Sequence, residues 1–214
     1  MPLYKLSVRD DDACVVAIWQ IVEGEEELVA PLPDGEDLLA EAHCRYKASS
    51  RRLEWLAVRR LMHEVGCSSS IKYHPSGRPY LEDDERFISI SHTRGYAAIA
   101  LHSKQCVGID IEQRTERVCR VGDKFLANEE KLFLPREKKN VEVMLVIWTV
   151  KEAMFKLMDR EGVDFAHHLH VLPFVMAEEG SLVAHETLTE EQRRFQFTYQ
   201  LYPDFVLSIG SFMG

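Results

Sequence analysis

Two short segments of this 214-residue chain hold residue types that could do chemistry together. In Val107-Gly108-Ile109-Asp110-Ile111-Glu112, two carboxylates stand two residues apart in an apolar, β-branched run, so on a strand both point to one side. In Trp148-Thr149-Val150-Lys151-Glu152-Ala153-Met154-Phe155-Lys156, Glu152 and Lys156 stand four apart on an apolar helix and share a face. Three carboxylates and an ammonium that converge on one cleft can hold a hard divalent cation and a phosphate ester. Asp110 and Glu112 repel each other unless a cation lies between them. Magnesium suits such a site, because it takes few carboxylates and leaves room for water and phosphate oxygens. A carboxylate beside the cation can act as a general base, and a nearby lysine can neutralise phosphate charge. Either segment alone reads as ordinary structure, a half-buried strand or a surface ion pair; the weight lies in the combination.

What is missing narrows the chemistry further. No Gly-x-Ser-x-Gly elbow, Walker loop or dinucleotide-binding glycine fingerprint occurs. The chain shows no nucleophile of its own, which points to one arriving on a partner. His167, His168 and His170 cluster without cysteine or acidic partners and do not read as a metal site. Cys14, Cys44, Cys67, Cys106 and Cys119 are scattered and never spaced Cys-x-x-Cys, the pattern of reduced structural thiols. A formal net charge of −9 argues against nucleic-acid binding, and no apolar run is long enough to span a bilayer. The N-terminus lacks a signal-peptide core, so a cytoplasmic protein is expected. The charge is uneven, however. Between Arg45 and Arg60 six basic residues accompany one acid, Glu54, and an anion could bind there.

Periodicity indicates the elements that must position these groups. Leu3 to Val8 and Cys14 to Ile21 read as strands, and Asp34 to His43 as a short helix. Ser49 or Ser50 caps a stronger helix, whose Leu53, Leu56, Ala57, Leu61 and Val65 keep helical spacing until Gly66. Arg52 and Arg59 are seven apart and share one stripe of it. A turn at Pro75-Ser76-Gly77-Arg78-Pro79 precedes three strands, Phe87 to Ser91, Tyr96 to Leu101 and Cys106 to Glu112. Helix is expected over Val121 to Phe133, with a break at Pro135. A long helix then runs from Val141 to Met158, its buried stripe marked by Val143, Ile147, Val150, Met154 and Leu157. Strands are expected over Leu169 to Met176, Ser181 to His185, Arg194 to Tyr202 and Phe205 to Phe212. With no linker and no repeat of fixed period, the order implies an α+β fold with largely antiparallel sheet.

Taken together and in order, these segments resemble the 4′-phosphopantetheinyl transferases of the large, surfactin-synthetase-activating (Sfp) type. Ser76-Gly77-Arg78-Pro79-Tyr80 is similar to that family's Gly-Lys/Arg-Pro turn, and Ile88-Ser89-Ile90-Ser91-His92-Thr93 to its Ser-His-Ser/Thr motif. Val107 to Glu112 and Trp148 to Lys156 resemble its two acidic motifs, and Arg51 to Arg59 its basic helix. The resemblance implies two similar α+β halves in a pseudo-twofold arrangement, residues 1–105 and 106–214, in a monomer. It implies an enzyme that moves the phosphopantetheine arm of coenzyme A onto a serine of an acyl or peptidyl carrier protein, releasing adenosine 3′,5′-bisphosphate. By the same resemblance Asp110, Glu112 and Glu152 would hold Mg²⁺, Glu152 would help deprotonate the serine, and Lys156 would stabilise the breaking pyrophosphate. Arg51, Arg52 and Arg59 would meet the 3′-phosphate, Gly77, Arg78 and Pro79 the adenine, and Ser91, His92 and Lys151 the phosphates. Asp159 stands where the family carries glycine, which implies a reshaped loop after the last motif. A non-catalytic coenzyme A- or carrier-binding module would be favoured by loss of Asp110, Glu152 or Lys156, and none is replaced. A phosphohydrolase using water would more often show a second cluster of His and Asp.

Overall fold

A computed structural model describes residues 3–9, 13–134 and 141–213. Pro135, where a helix break is expected, lies outside the described residues, as do residues 1–2 and 10–12 of the segment read for a signal peptide. The chain is mixed α+β and divides into two units.

The first unit comprises Met1–Lys72 and Pro79–Lys104. Strands β1 (Leu3–Arg9) and β2 (Cys14–Gln20) are followed by α1 (Glu25–Val29), α2 (Gly35–Arg45) and α3 (Ser49–Glu64). A ribbon of β3 (Ile71–Tyr73) and β4 (Pro79–Leu81) leads to β5 (Phe87–Thr93) and β6 (Tyr96–His102). The sheet order is β1-β2-β6-β5, antiparallel throughout. Trp55, Leu56, Ala57 and Leu61 of α3 bury the apolar stripe against Trp19, Ile99 and Leu101. Ser49 is the first residue of α3 rather than its cap; Ala48 takes the cap position, and the Ser49 hydroxyl donates to Glu25 Oε1 at 2.7 Å. Helix α1 has no apolar period to announce it. Its first turn is Glu25, Glu26 and Glu27, which suits the positive end of a helix dipole.

The second unit comprises Tyr73–Arg78 and Gln105–Gly214. Its elements are β7 (Val107–Gln113), α4 (Arg117–Arg120), α5 (Asn128–Phe133), α6 (Val141–Met158), α7 (Phe165–His168), β8 (Leu169–Val171), β9 (Glu179–Glu186), β10 (Arg194–Leu201) and β11 (Phe205–Phe212). The antiparallel sheet runs β7-β11-β10-β9-β8. Two expectations are corrected here. The helix expected over Val121 to Phe133 is a 3₁₀ turn at Gly122–Lys124 and the short α5, because Phe125, Leu126 and Ala127 are buried in the connection between them. The strand expected as far as Met176 ends at Val171. Leu172 makes a last bond to Val183, and Pro173 then has no N–H to continue the ladder.

Helix α6 packs on this sheet through Val146, Ile147, Val150, Met154 and Leu157, against Leu182, Phe195, Phe197 and Val206. It comes close to β7 at Gly108, where an added Cβ would lie 2.3 Å from the Ala153 carbonyl oxygen. Alternation along β7 puts Gly108, Asp110 and Glu112 on this same face. Ile109 and Ile111 take the other face, where they too are buried. Across from Asp110 in the register stands Ser208, whose hydroxyl lies 2.6 Å from that of Thr149 on α6. The glycine therefore lets the acid-bearing strand and the lysine-bearing helix meet.

Candidate active site

The close contact of β7 and α6 brings four of the sequence-predicted residues together. Lys156 Nζ donates to Asp110 Oδ1 at 2.9 Å and to the Ile109 carbonyl at 2.8 Å. Asp110 is only 5% exposed. Glu112 accepts a hydrogen bond from Trp148 Nε1 at 3.1 Å. Burial pushes the Glu112 carboxyl above its ordinary range and the Asp110 charge adds to this, while Trp148 and Lys156 pull it back. Glu152 is half-buried and has no hydrogen-bond partner among the described residues. Burial, then the charge of Asp110, raise its pKa to about 7; Lys156 opposes this and Glu112 reinforces it. Three acids thus crowd one ammonium, and Glu152, without a hydrogen bond among the described residues, has its pKa raised to about 7.

Lys151 does not belong to this group. It is fully buried, and its ammonium donates to Phe125 O at 2.6 Å, Glu130 Oε2 at 2.7 Å and Phe165 O at 2.9 Å. A lysine has three N–H donors, so none is left for a phosphate. One residue along a helix is a rotation of about 100°, which turns Lys151 away from the side that Glu152 uses. Burial depresses the Lys151 pKa, and the Glu130 carboxylate opposes that shift.

In the first unit the basic helix is less free than its sequence implies. Arg52 pairs with Glu25 at 2.9 Å and donates to the carbonyls of Tyr46 and Lys47. Glu25 also takes Ser49 and lies 2.9 Å from His43 Nε2, and the Arg52 hydrogen bond holds its carboxyl below the ordinary range. Arg59 lies over the Trp55 ring at 3.5 Å and donates to the Trp55 carbonyl. Both guanidiniums thus make contacts within the first unit, Arg52 with Glu25 and Arg59 with Trp55. Arg51 and His92 are brought together. They line an open pocket of about 630 Å³ with Ile21, Ser50, Leu53, Glu54, Arg94 and Gly95, and both approach Glu54, at 2.9 Å and 3.4 Å. Ser91 is buried beside His92 on β5.

Gly77 takes a φ of 88° in the turn closed by the Gly77 N–H to the His74 carbonyl, and Pro79 opens β4. Arg78, in the second unit, reaches Cys106 Sγ at 3.0 Å and stands 3.8 Å from Asp159 Oδ2. Asp159 itself has a φ of 47°, the left-handed conformation glycine takes at the end of a helix. At that residue the turn keeps the form expected of glycine.

Residues 106–210 match the profile of the 4′-phosphopantetheinyl transferase superfamily. Through this half, the chain belongs to that superfamily. It is also 30% identical over 86 residues to the 4′-phosphopantetheinyl transferase gsp of Aneurinibacillus migulanus, a match covering 39% of this chain and 35% of that protein. The chain therefore aligns with about a third of the length of this curated relative. The superfamily segment contains β7 and α6 entire, with Asp110, Glu112, Glu152 and Lys156.

A divalent metal fits the donor chemistry of this superfamily segment, since hard carboxylate oxygens crowd together and the Asp110 charge helps to raise the pKa of both Glu112 and Glu152. Among the described residues no three His, Cys, Asp or Glu side chains form a ready-made metal cage. Mg²⁺ does not need one, because it usually keeps several waters and binds through one or two carboxylates plus substrate phosphates. Two residues of interest escape sequence reasoning. Glu130, 1% exposed, sits in Asn128-Glu129-Glu130, which reads as the solvated acidic start of a helix. Arg94 is one polar residue in a short hairpin loop, and only the pocket that it lines singles it out.

Proposed function

We propose that this chain is a Mg²⁺-dependent 4′-phosphopantetheinyl transferase, which moves the phosphopantetheine arm of coenzyme A onto a serine of an apo acyl or peptidyl carrier protein. The observation that carries this reading is the gathering of Asp110, Glu112 and Glu152 around Lys156, inside the segment that matches the superfamily. The printed name of the gsp relative supports it.

In this reading Glu152 is the general base. A carboxylate placed beside the incoming serine hydroxyl can take its proton, directly or through a water. The serine oxygen bonds to the phosphorus that bears the pantetheine arm, and the bond from that phosphorus to the bridging pyrophosphate oxygen breaks. Adenosine 3′,5′-bisphosphate leaves. Lys156 stabilises charge on the departing oxygens. Asp110, Glu112 and Glu152 would hold Mg²⁺, which when bound supplies counter-charge to the pyrophosphate. Arg51, His92 and Arg94 offer a basic pocket for an anionic group of coenzyme A, with Gly77, Arg78 and Pro79 on the adenine side. Each unit packs one long helix, α3 or α6, on an antiparallel sheet, which supports the reading of two similar halves. Five free cysteines suit a cytoplasmic setting.

The test mixes the protein with coenzyme A, Mg²⁺ and several apo carrier proteins, and weighs each carrier by mass spectrometry. The expected result is a carrier heavier by one phosphopantetheine. Carriers left unmodified here, but modified by a known transferase in parallel, would remove the proposal.

A further inference from the structure

We infer that Lys151 and Glu130 form a buried strut that positions Glu152 and Glu112, and that neither touches coenzyme A. This rests on the function proposed above. Lys151 directly precedes Glu152 on α6, and its ammonium sits in a closed socket of three oxygens from Phe125, Glu130 and Phe165. Glu130 is equally engaged. Its Oε2 accepts from Lys151 and, at 2.8 Å, from the Ala127 N–H, while its Oε1 accepts from the Val171 N–H at 2.7 Å. One buried ion pair therefore joins the 3₁₀-to-α5 connection, α5, α6, the start of α7 and β8.

The socket reaches the acids by two routes. A helix residue anchored on one side fixes the rotation of its neighbours. Glu152, with no hydrogen bond among the described residues, depends on that rotation to face Asp110. The second route runs through Trp148. The two residues whose carbonyls hold Lys151 also clamp the Trp148 ring, Phe125 at 5.0 Å and Phe165 at 5.6 Å. Trp148 in turn donates to Glu112. Displacing the ammonium moves the two phenylalanine carbonyls, hence the indole, hence the Glu112 carboxylate.

The test separates turnover from affinity. Removing one partner alone would bury an unpaired charge, so both are neutralised in Glu130→Gln/Lys151→Met. In Glu130→Asp the charge stays and the strut is one methylene shorter. For each, kcat of transfer should fall about 10- to 100-fold, the scale of an ångström-sized misplacement of catalytic groups. The Kd for coenzyme A, by calorimetry, should stay within about 2-fold of wild type, well under the 1.4 kcal/mol that marks a tenfold loss. A parallel loss of coenzyme A affinity would make Lys151 a ligand contact, and an unchanged kcat would make the pair structural only; either overturns the inference. Wild-type protein gives a further reading. Lys151 should resist an amine-acylating reagent with or without coenzyme A, and labelling that coenzyme A suppresses would also overturn it. Absence of transfer by the wild type would instead count against the function itself.

Discussion

Glu152→Gln should stabilise the metal-free protein at alkaline pH while abolishing transfer. The magnitude follows from the site. Burial and the charges of Asp110 and Glu112 hold the Glu152 pKa at about 7, against an ordinary 4.5. That difference is worth about 3 kcal/mol between the two protonation states, at most, for a half-buried group. Below pH 4.5 the carboxyl is protonated in both the folded and the unfolded chain, and it costs nothing. Between 4.5 and about 7 the unfolded chain has released the proton that the folded chain still holds, so stability falls as pH rises. Above about 7 the whole cost is present. Glutamine never incurs it. After allowance for solvent screening, a gain of about 1–3 kcal/mol at pH 8 is expected, or roughly 3–10 °C in Tm for a chain of this size. Thermal melts followed by circular dichroism, in chelator, at pH 8 and below pH 4.5, measure it. The gain should shrink towards zero in acid. At pH 8, Mg²⁺ should raise the wild-type Tm more than that of the variant, since it relieves the same repulsion. Equal melts at pH 8, or a larger gain in acid, would refute the reasoning.

Gly108→Ala places a Cβ 2.3 Å from the Ala153 carbonyl oxygen and 2.9 Å from Leu157 Cγ. It should lose about 1–3 kcal/mol in denaturant titration, with transfer falling as β7 and α6 part; an unperturbed variant would show slack at that contact. Arg52→Ala should cost about 2 kcal/mol at pH 7 by removing charged hydrogen bonds from Glu25, with little change in coenzyme A affinity. Because Arg52 lowers the Glu25 pKa, this stability is present above pH 4.5 and is lost as pH falls through the lowered value. The gap between variant and wild type should therefore close in acid, and a gap that persists would assign it to packing. Asp159→Gly should be more stable than Asp159→Ala by about 1 kcal/mol, because only glycine takes the left-handed conformation at no steric cost; the order of their urea midpoints decides it.

Much of the second unit is legible in the sequence because its determinants are local. The stripe from Val143 to Leu157 repeats at helical spacing and is buried as expected, and alternation through Ile109 and Ile111 places Asp110 with Glu112. The pairing of β7 with β11 is not legible. It joins residues about a hundred positions apart, and nothing in Val107–Gln113 names Phe205–Phe212 as partner. In the first unit, the basic stripe of α3 was readable but its availability was not. Arg52 is met by Glu25, 27 residues earlier, on a helix too short and too acidic to show a period. The pocket joins Arg51 of α3 to His92 and Arg94 of the β5–β6 hairpin, a juxtaposition that only packing creates.

The segment Trp148 to Lys156 shows why a contiguous motif is not a single site. Its residues are written in a line, but a helix distributes them around an axis. Thr149 meets Ser208, and Ala153 meets Gly108, on the sheet side; Lys156 reaches Asp110 from there as well. Lys151 turns instead to Glu130, where two buried charges persist only because each is fully hydrogen-bonded. The two lysines therefore answer different requirements. Lys156, 29% exposed at its side chain, keeps an ammonium within reach of a ligand beside three acids. Lys151 keeps one out of reach, and holds the helix at the rotation that makes the other useful.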